Sequence, residues 1–231
     1  MCPLDQWLDD AVMQKIAAEN NLAETAFYVP DGSHYSLRWF TPTVEVDLCG
    51  HATLASAYVI GKPEVHFMTK SGELTVTRNG DLFTLNFPSR PAGPQPANPS
   101  LLAAVGGIPV ELLSARDYLV VYGSEDEVRA LNPDMAALCG IDRFAVIVTA
   151  PGKNCDFVSR FFAPGKGVPE DPVTGSAHCT LTPYWSKRLQ KTNLHAFQVS
   201  GRGGELWLED KGERVTISGN GALYLEGAIY V

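Results

Sequence analysis

Apolar residues recur along the chain in two rhythms. Over Leu8–Asn21, Leu8, Val12 and Ile16 fall at i, i+4 and i+8, which predicts a helix that Asp9 or Asp10 can cap. Over Ala52–Ile60 nearly every position is small or apolar, with no polar stripe. That predicts a helix buried all round, opening at Gly50-His51 and stopped by Gly61-Lys62-Pro63. A second buried helix is expected at about Ala177–Leu189. Strands are predicted at Ala26–Val29, Tyr35–Phe40, Val65–Thr69, Glu73–Arg78 and Leu82–Phe87, with Asp31-Gly32 and Asn79-Gly80 as hairpin turns. Further on, strands are expected at Tyr118–Tyr122, Ala145–Val148, Asp156–Phe162, Gln198–Ser200, Glu205–Glu209, Arg214–Ser218 and Ala222–Val231. Short helices are expected near Ser100–Val105, Glu125–Leu131 and Pro133–Leu138.

The pattern occurs twice. Arg38-Trp39-Phe40-Thr41-Pro42 leads through a short acidic loop to Cys49-Gly50-His51-Ala52. Arg160-Phe161-Phe162-Ala163-Pro164 leads through another to Thr174-Gly175-Ser176-Ala177. Downstream, Gly72-Glu73-Leu74 and Gly80 match Gly204-Glu205-Leu206 and Gly212, at the same spacing. Two copies of this length mean two similar lobes, because solenoid repeats are shorter and more numerous. The expected architecture is α+β: two pseudo-symmetric lobes, 1–88 and 100–231, joined by the proline-rich stretch 89–99. The last strand is one that can cross back to the first lobe. The strand at Tyr118–Tyr122 has no visible counterpart before the helix at Leu8, so the first lobe is expected to lack it.

Composition narrows the class. The chain has 231 residues, 45% hydrophobic and 19% charged, as in ordinary globular proteins. Its net charge of −8 and the absence of any Lys/Arg cluster argue against nucleic acid and anionic membrane as partners. No apolar run approaches a membrane span and no signal peptide is visible. Five cysteines at irregular spacing suggest reduced thiols in a cytoplasmic protein.

Helices opening at Gly50-His51 and Gly175-Ser176 would each present free backbone N–H groups and the positive end of a helix dipole. Face to face, they would suit an anionic small molecule such as a carboxylate, with Cys49, Gly50, Thr174 and Gly175 lining it. The same glycines also suit plain helix packing. Glu24, in a loop between a helix and an apolar strand, can point into such a cleft as an acid/base, and equally suits a solvated loop. Its counterpart near Ala145 carries no acid. Cys49, His51, His178 and Cys179 lack the C-x2-4-C or H-x3-5-H spacing of zinc sites, so no metal is expected. A low-pKa Cys49 thiolate at a helix start would suit a thiol-based epimerase. The second thiol that mechanism needs is replaced by Thr174.

Asn20-Asn21-Leu22-Ala23-Glu24-Thr25-Ala26-Phe27, Phe40-Thr41-Pro42, Cys49-Gly50-His51-Ala52-Thr53 and Glu170-Asp171-Pro172-Val173-Thr174-Gly175-Ser176-Ala177 stand in order along the chain. With these motifs the chain resembles the PhzF-like (phenazine biosynthesis-like) isomerase family, within the diaminopimelate epimerase-like fold. The resemblance runs from Leu4 to Val231. It implies two lobes, each a β-sheet wrapped round a central helix, and a cofactor-independent isomerase or epimerase that moves a proton on a small organic acid. It places catalytic roles on Glu24, His51, Asp171 and Ser176, and it implies a homodimer. Family members carry an initial strand and a Gly-Asn-Pro turn that this chain is expected to lack. A non-catalytic small-molecule-binding or scaffold protein of the same fold is the alternative.

Overall fold

The computed structural model of the chain describes residues 1–230. The first half runs β1 (Cys2–Pro3), α1 (Asp10–Asn20), β2 (Thr25–Asp31), β3 (His34–Phe40), β4 (Glu45–Val46), α2 (Gly50–Ile60), β5 (Glu64–Thr69), β6 (Gly72–Asn79) and β7 (Leu82–Pro88). The proline-rich stretch contributes β8 (Gly93–Pro94) and the start of α3 (Pro99–Val105), and β9 (Glu111–Ser114) follows. The second half continues with β10 (Tyr118–Val121), α4 (Glu125–Ala130), α5 (Met135–Leu138), β11 (Val146–Pro151), β12 (Phe157–Phe162), α6 (Gly175–Leu189), β13 (Asn193–Gln198), β14 (Gly204–Asp210) and β15 (Arg214–Asn220).

The two halves repeat one pairing scheme. In the first, β1 is parallel to β2, β2 antiparallel to β3, β3 parallel to β5, and β5, β6 and β7 form an antiparallel meander. In the second, β10, β11, β12, β13, β14 and β15 pair in the same order and the same senses. The equivalent last strands then pair with each other, Ile217 opposite Leu85, so one continuous sheet joins both rolls. Each parallel step, β3 to β5 and β12 to β13, needs a crossover, and α2 and α6 supply it from inside the roll.

Alternation explains which face goes where. On β2, Ala26 and Tyr28 point into the central core, while Phe27 packs outward with Met13, Ile16 and Ala17 of α1. On β10, Leu119 and Val121 point inward, and Tyr118 and Val120 pack under α3 and α4. The repeated arginine has a repeated task. Arg38 donates from Nε and Nη2 to Glu45 at 2.8 and 3.0 Å, and Arg160 makes the same two bonds to Glu170 at the same distances. Each bidentate pair pins the acidic loop that leads to a buried helix.

Four expectations need correction. The first lobe, expected to have no counterpart of β10, has a two-residue one: Cys2–Pro3 lies parallel to β2, Cys2 opposite Phe27, as β10 lies against β11. Among the described residues β1 pairs with β2 alone, while β9 also flanks β10. Two residues are too few to show a period in sequence. The expected strand Ala222–Val231 does not form over 222–230, and Val231 lies outside the described residues. A strand needs a free edge, and both edges of β15 are taken by β14 and β7. Leu223, Tyr224 and Tyr230 are exposed as a result. The strand that crosses to the first half is β15. The strand expected at Gln198–Ser200 lies earlier, as β13, which ends at Gln198 and shares only that residue. Finally, α2 is not buried all round, since Val59 is exposed near its end. No helix among the described residues is long and apolar enough to cross a membrane.

The helices α2 and α6 meet at their first residues. A Cβ on Gly50 would lie 2.6 Å from Gly175 Cα, and a Cβ on Gly175 would lie 2.6 Å from Gly50 Cα. At an open helical position Gly→Ala stabilises by ~0.5–1 kcal/mol; here the added methyl forces the two backbones apart, at ~1–3 kcal/mol. Gly50→Ala and Gly175→Ala are each expected to lower Tm by several degrees in a thermal melt. Gly201→Ala, where an added Cβ meets nothing within 4 Å, should leave Tm unchanged. Equal melting of all three proteins would mean that the close contact carries no constraint.

Candidate functional site

The meeting of α2 and α6 makes the floor of a small cavity. Glu24, Cys49, Gly50, His51, Asp171, Thr174, Gly175 and Ser176, all singled out from the sequence, line it together. Arg116 and Phe144 line it too, and sequence reasoning missed both.

Glu24 reaches the cavity because α1 stops early. Asn21 takes a left-handed φ of 47° and its N–H donates to Ala17 O, a conformation asparagine tolerates well. The chain then turns, braced by Asn20 Nδ2 donating to Thr25 Oγ1 at 3.1 Å, and enters β2 directly after Glu24. The Glu24 side chain is only 14% exposed, and its Oε2 is buried without a hydrogen-bond partner, 3.3 Å from His51 Nε2. Burial pushes the Glu24 carboxyl above the ordinary range; His51 opposes the shift and Asp171 adds to it.

His51 is held from the other half. Its Nδ1 lies 3.1 Å from Val173 O, and a carbonyl only accepts, so Nδ1 carries a hydrogen. That turns Nε2 toward Glu24. Two lone pairs facing each other would repel, so one of these two atoms holds a proton. Cys49, the residue before α2, is buried, and its Sγ lies 3.8 Å from Nδ1 and 4.0 Å from Nε2 of His51. Burial first, then the carboxyls of Glu24 and Asp171, push its thiol well up. The low-pKa thiolate considered for Cys49 is therefore corrected: a helix start cannot offset full burial beside two acids.

Asp171 is 3% exposed and clamped. Thr174 Oγ1 donates to its Oδ2, and Asp171 N donates to Phe161 O at 3.0 Å. Gln198 Nε2 donates to the Asp171 carbonyl at 2.6 Å, while Gln198 Oε1 accepts from Thr174 N at 2.7 Å. Gln198, at the end of β13, thus fixes the loop that positions Asp171; nothing in its sequence surroundings marks it. Asp171 Oδ1 is buried without a partner. Burial raises the Asp171 carboxyl, against the pull of His51 and the Thr174 bond.

Ligand atoms of Glu24, Cys49 and His51 lie within 4.8 Å of one another, a donor set that suits a thiophilic divalent cation. The sulfur stands beside the imidazole rather than ahead of Nε2, so sharing an ion would require the ring to turn off the Val173 carbonyl. What the arrangement offers without an ion is a proton-exchanging carboxyl, an imidazole, a second buried carboxyl, and two helix starts whose preceding residues make no side-chain cap.

The phenazine biosynthesis-like protein family model, PhzC-PhzF, matches residues 1–227. An uncharacterized isomerase of Pseudomonas aeruginosa is 51% identical, over 100% of this chain and 92% of that protein. The crystal structure of a PhzF-family phenazine biosynthesis protein from Enterococcus faecalis superposes with a TM-score of 0.92 at 47% identity, covering 99% of this chain and 91% of that one. A structure described as a predicted epimerase from Pseudomonas aeruginosa superposes at 0.71 with 18% identity, covering 94% and 88%, a likeness of fold alone. The fold is thus the two-lobed epimerase-like roll expected from the motifs.

Beneath the cavity, His178 is fully buried in α6, its Nδ1 donating to Thr174 O at 2.7 Å and its Nε2 without a partner. Burial lowers its pKa from 6.5 to about 4. Between those values the unfolded chain binds a proton that the folded chain refuses, so the stability present above pH 6.5 is lost as pH falls toward 4. The loss totals roughly 3 kcal/mol, at ~1.4 kcal/mol per pH unit. The raised carboxyls of Glu24 and Asp171 act in the opposite sense, so the test compares variants. His178→Asn keeps a donor for the Thr174 carbonyl. The stability difference between parent and variant, from guanidinium unfolding, should change by roughly 3 kcal/mol between pH 7 and pH 4. A pH-independent difference would show that His178 does not sit neutral in the core.

Proposed function

The chain belongs to the phenazine biosynthesis-like protein family, and from that membership we propose an isomerase that moves a proton on a small organic acid, with Glu24 as both acid and base. The observation that carries the reading is the buried, unpartnered Glu24 Oε2, 3.3 Å from His51 Nε2, where two uncapped helix starts converge.

Ionised Glu24 takes a proton from a carbon next to the substrate's carbonyl or carboxylate group. The C–H electron pair moves into that group, giving an enolate-like anion. His51 and the N–H groups that open α2 and α6 stabilise this charge. Protonated Glu24 then returns the proton to a different carbon of the conjugated system, and no atom is gained or lost. A carboxyl raised by burial suits both steps, because acid and base strength balance best near the working pH. Asp171 lies in reach of the same cavity, as a partner for His51 or for a substrate amine. The buried Cys49, with Thr174 at the matching place, does not favour a thiol mechanism.

Incubating the protein in D2O with a panel of small carboxylic acids should place deuterium on carbon in at least one, read by mass spectrometry. Glu24→Gln is expected to slow that exchange by ~10²–10⁴-fold, and Cys49→Ala to leave it within a few-fold. The acid limb of kcat/KM should lie above the ~4.3 of a free glutamate. Exchange that survives Glu24→Gln but is lost on Cys49→Ala would replace this reading with a thiol one. Acids that bind without exchange would favour a binding protein.

A further inference from the structure

The cavity that holds Glu24 is also lined by a second charged feature that the proton chemistry does not use. Glu24 directly precedes β2, and Ala145 directly precedes β11, the equivalent strand of the other half. At that equivalent place the cavity is lined not by an acid but by Phe144, with the Arg116 guanidinium stacked on its ring 3.7 Å from the centroid. Arg116 is the sole lysine or arginine lining the cavity among the described residues.

Its position is fixed on two sides. Nη2 lies 2.8 Å from Asp47 Oδ1, and the plane of the guanidinium is held by Phe144. Asp47 also faces Arg90, whose Nη2 lies 3.3 Å from Asp47 Oδ2, so one carboxylate serves two cations. Asp117, buried behind them, makes no hydrogen bond through Oδ1. Arg116 Nη1 is itself buried and has no partner. A charged donor held rigid and left unsatisfied beside a cavity is an arrangement that a bound acceptor completes, and a carboxylate does so with the stronger, charge-assisted bond.

We propose that the Arg116 guanidinium forms an anion subsite in the same cavity as Glu24, and that the substrate is therefore a diacid: one carboxylate at the starts of α2 and α6, the second on Arg116. This rests on the reading of the cavity as an organic-acid site. Arg116 acts here as a specificity-determining residue and takes no part in proton transfer.

Butyrate and glutarate serve as probes, a monoacid and a diacid of similar reach, titrated calorimetrically against the full chain. The parent protein should bind glutarate about tenfold or more tightly than butyrate, as expected for one added charge-assisted hydrogen bond. Arg116→Met should reduce glutarate to the butyrate level and leave butyrate unchanged. Arg116→Lys, which keeps the charge but not the planar fork, should fall between them. Glu24→Gln should retain the preference for glutarate while losing exchange, so the subsite and the proton chemistry fail separately. Equal binding of both acids by the parent overturns the proposal. So does an equal loss of both acids in Arg116→Met, with a lowered Tm, which would make Arg116 a structural residue.

Discussion

Two backbones that touch through glycine organise this protein. The contact between Gly50 and Gly175 leaves no room for a methyl on either side, and it brings the first turns of α2 and α6 together. Each helix start carries roughly half a positive charge and unpaired N–H groups. Two such ends facing one another repel unless something negative lies between them. Neither first turn contains an acidic residue, and neither preceding residue caps its helix through a side chain. The nearby acids come instead from elsewhere in the chain, as Glu24 and Asp171. Both are buried deeply enough that their carboxyls stay easier to protonate than free ones. The field of the helix ends favours the anion, and burial favours the acid. A carboxyl held between those two influences can change protonation state at little cost, and proton transfer requires that.

The surrounding sheet keeps this meeting point rigid. The antiparallel ladder between β7 and β15 joins the halves along seven residue pairs, from Arg214 opposite Pro88 to Asn220 opposite Leu82. The side chains that surround both helices form a single core cluster drawn from both halves, with Trp39 and Phe67 on one side and Trp185 and Phe157 on the other. Moving one helix start relative to the other would disturb that shared packing. Close-packed interiors resist such shifts.

Much of this was legible before any coordinates. The repeat, the two central helices and the residues at their starts follow from motif spacing, because the chain writes the same frame twice. Glu24, which has no acidic counterpart in the repeat, is singled out by the family resemblance. What stayed hidden has physical reasons. β1 is two residues long, too short for any period. The stretch after Asn220 carries strand-like residues, yet a strand exists only where an edge is free, and pairing is a property of the whole sheet. Gln198 acts through bonds to three polar atoms, Thr174 N, Thr174 Oγ1 and Asp171 O, that only the fold brings to it. Arg116 carries no signal in the repeat, since it precedes β10 while the counterpart of Glu24 precedes β11, and only the fold stacks it on Phe144.

The duplicated frame is filled with unequal chemistry, and that inequality bears on stereochemistry. Where one half has Glu24, Cys49 and His51, the other has Ala145, Thr174 and Ser176. Two equivalent bases on opposite faces of a substrate would exchange protons with inversion. In the proposed reading, with Glu24 as the one acid and base, the proton returns to the face from which it was taken, which favours migration along one face. Inversion would need a donor from the other side, and among the described residues the second half offers just one buried acid lining the cavity, Asp171. Thr174 holds one oxygen of that carboxyl and leaves Oδ1 without a partner. Under that same proposal, inversion rather than migration would call on Asp171 Oδ1, in a loop that Gln198 ties through the Asp171 backbone carbonyl.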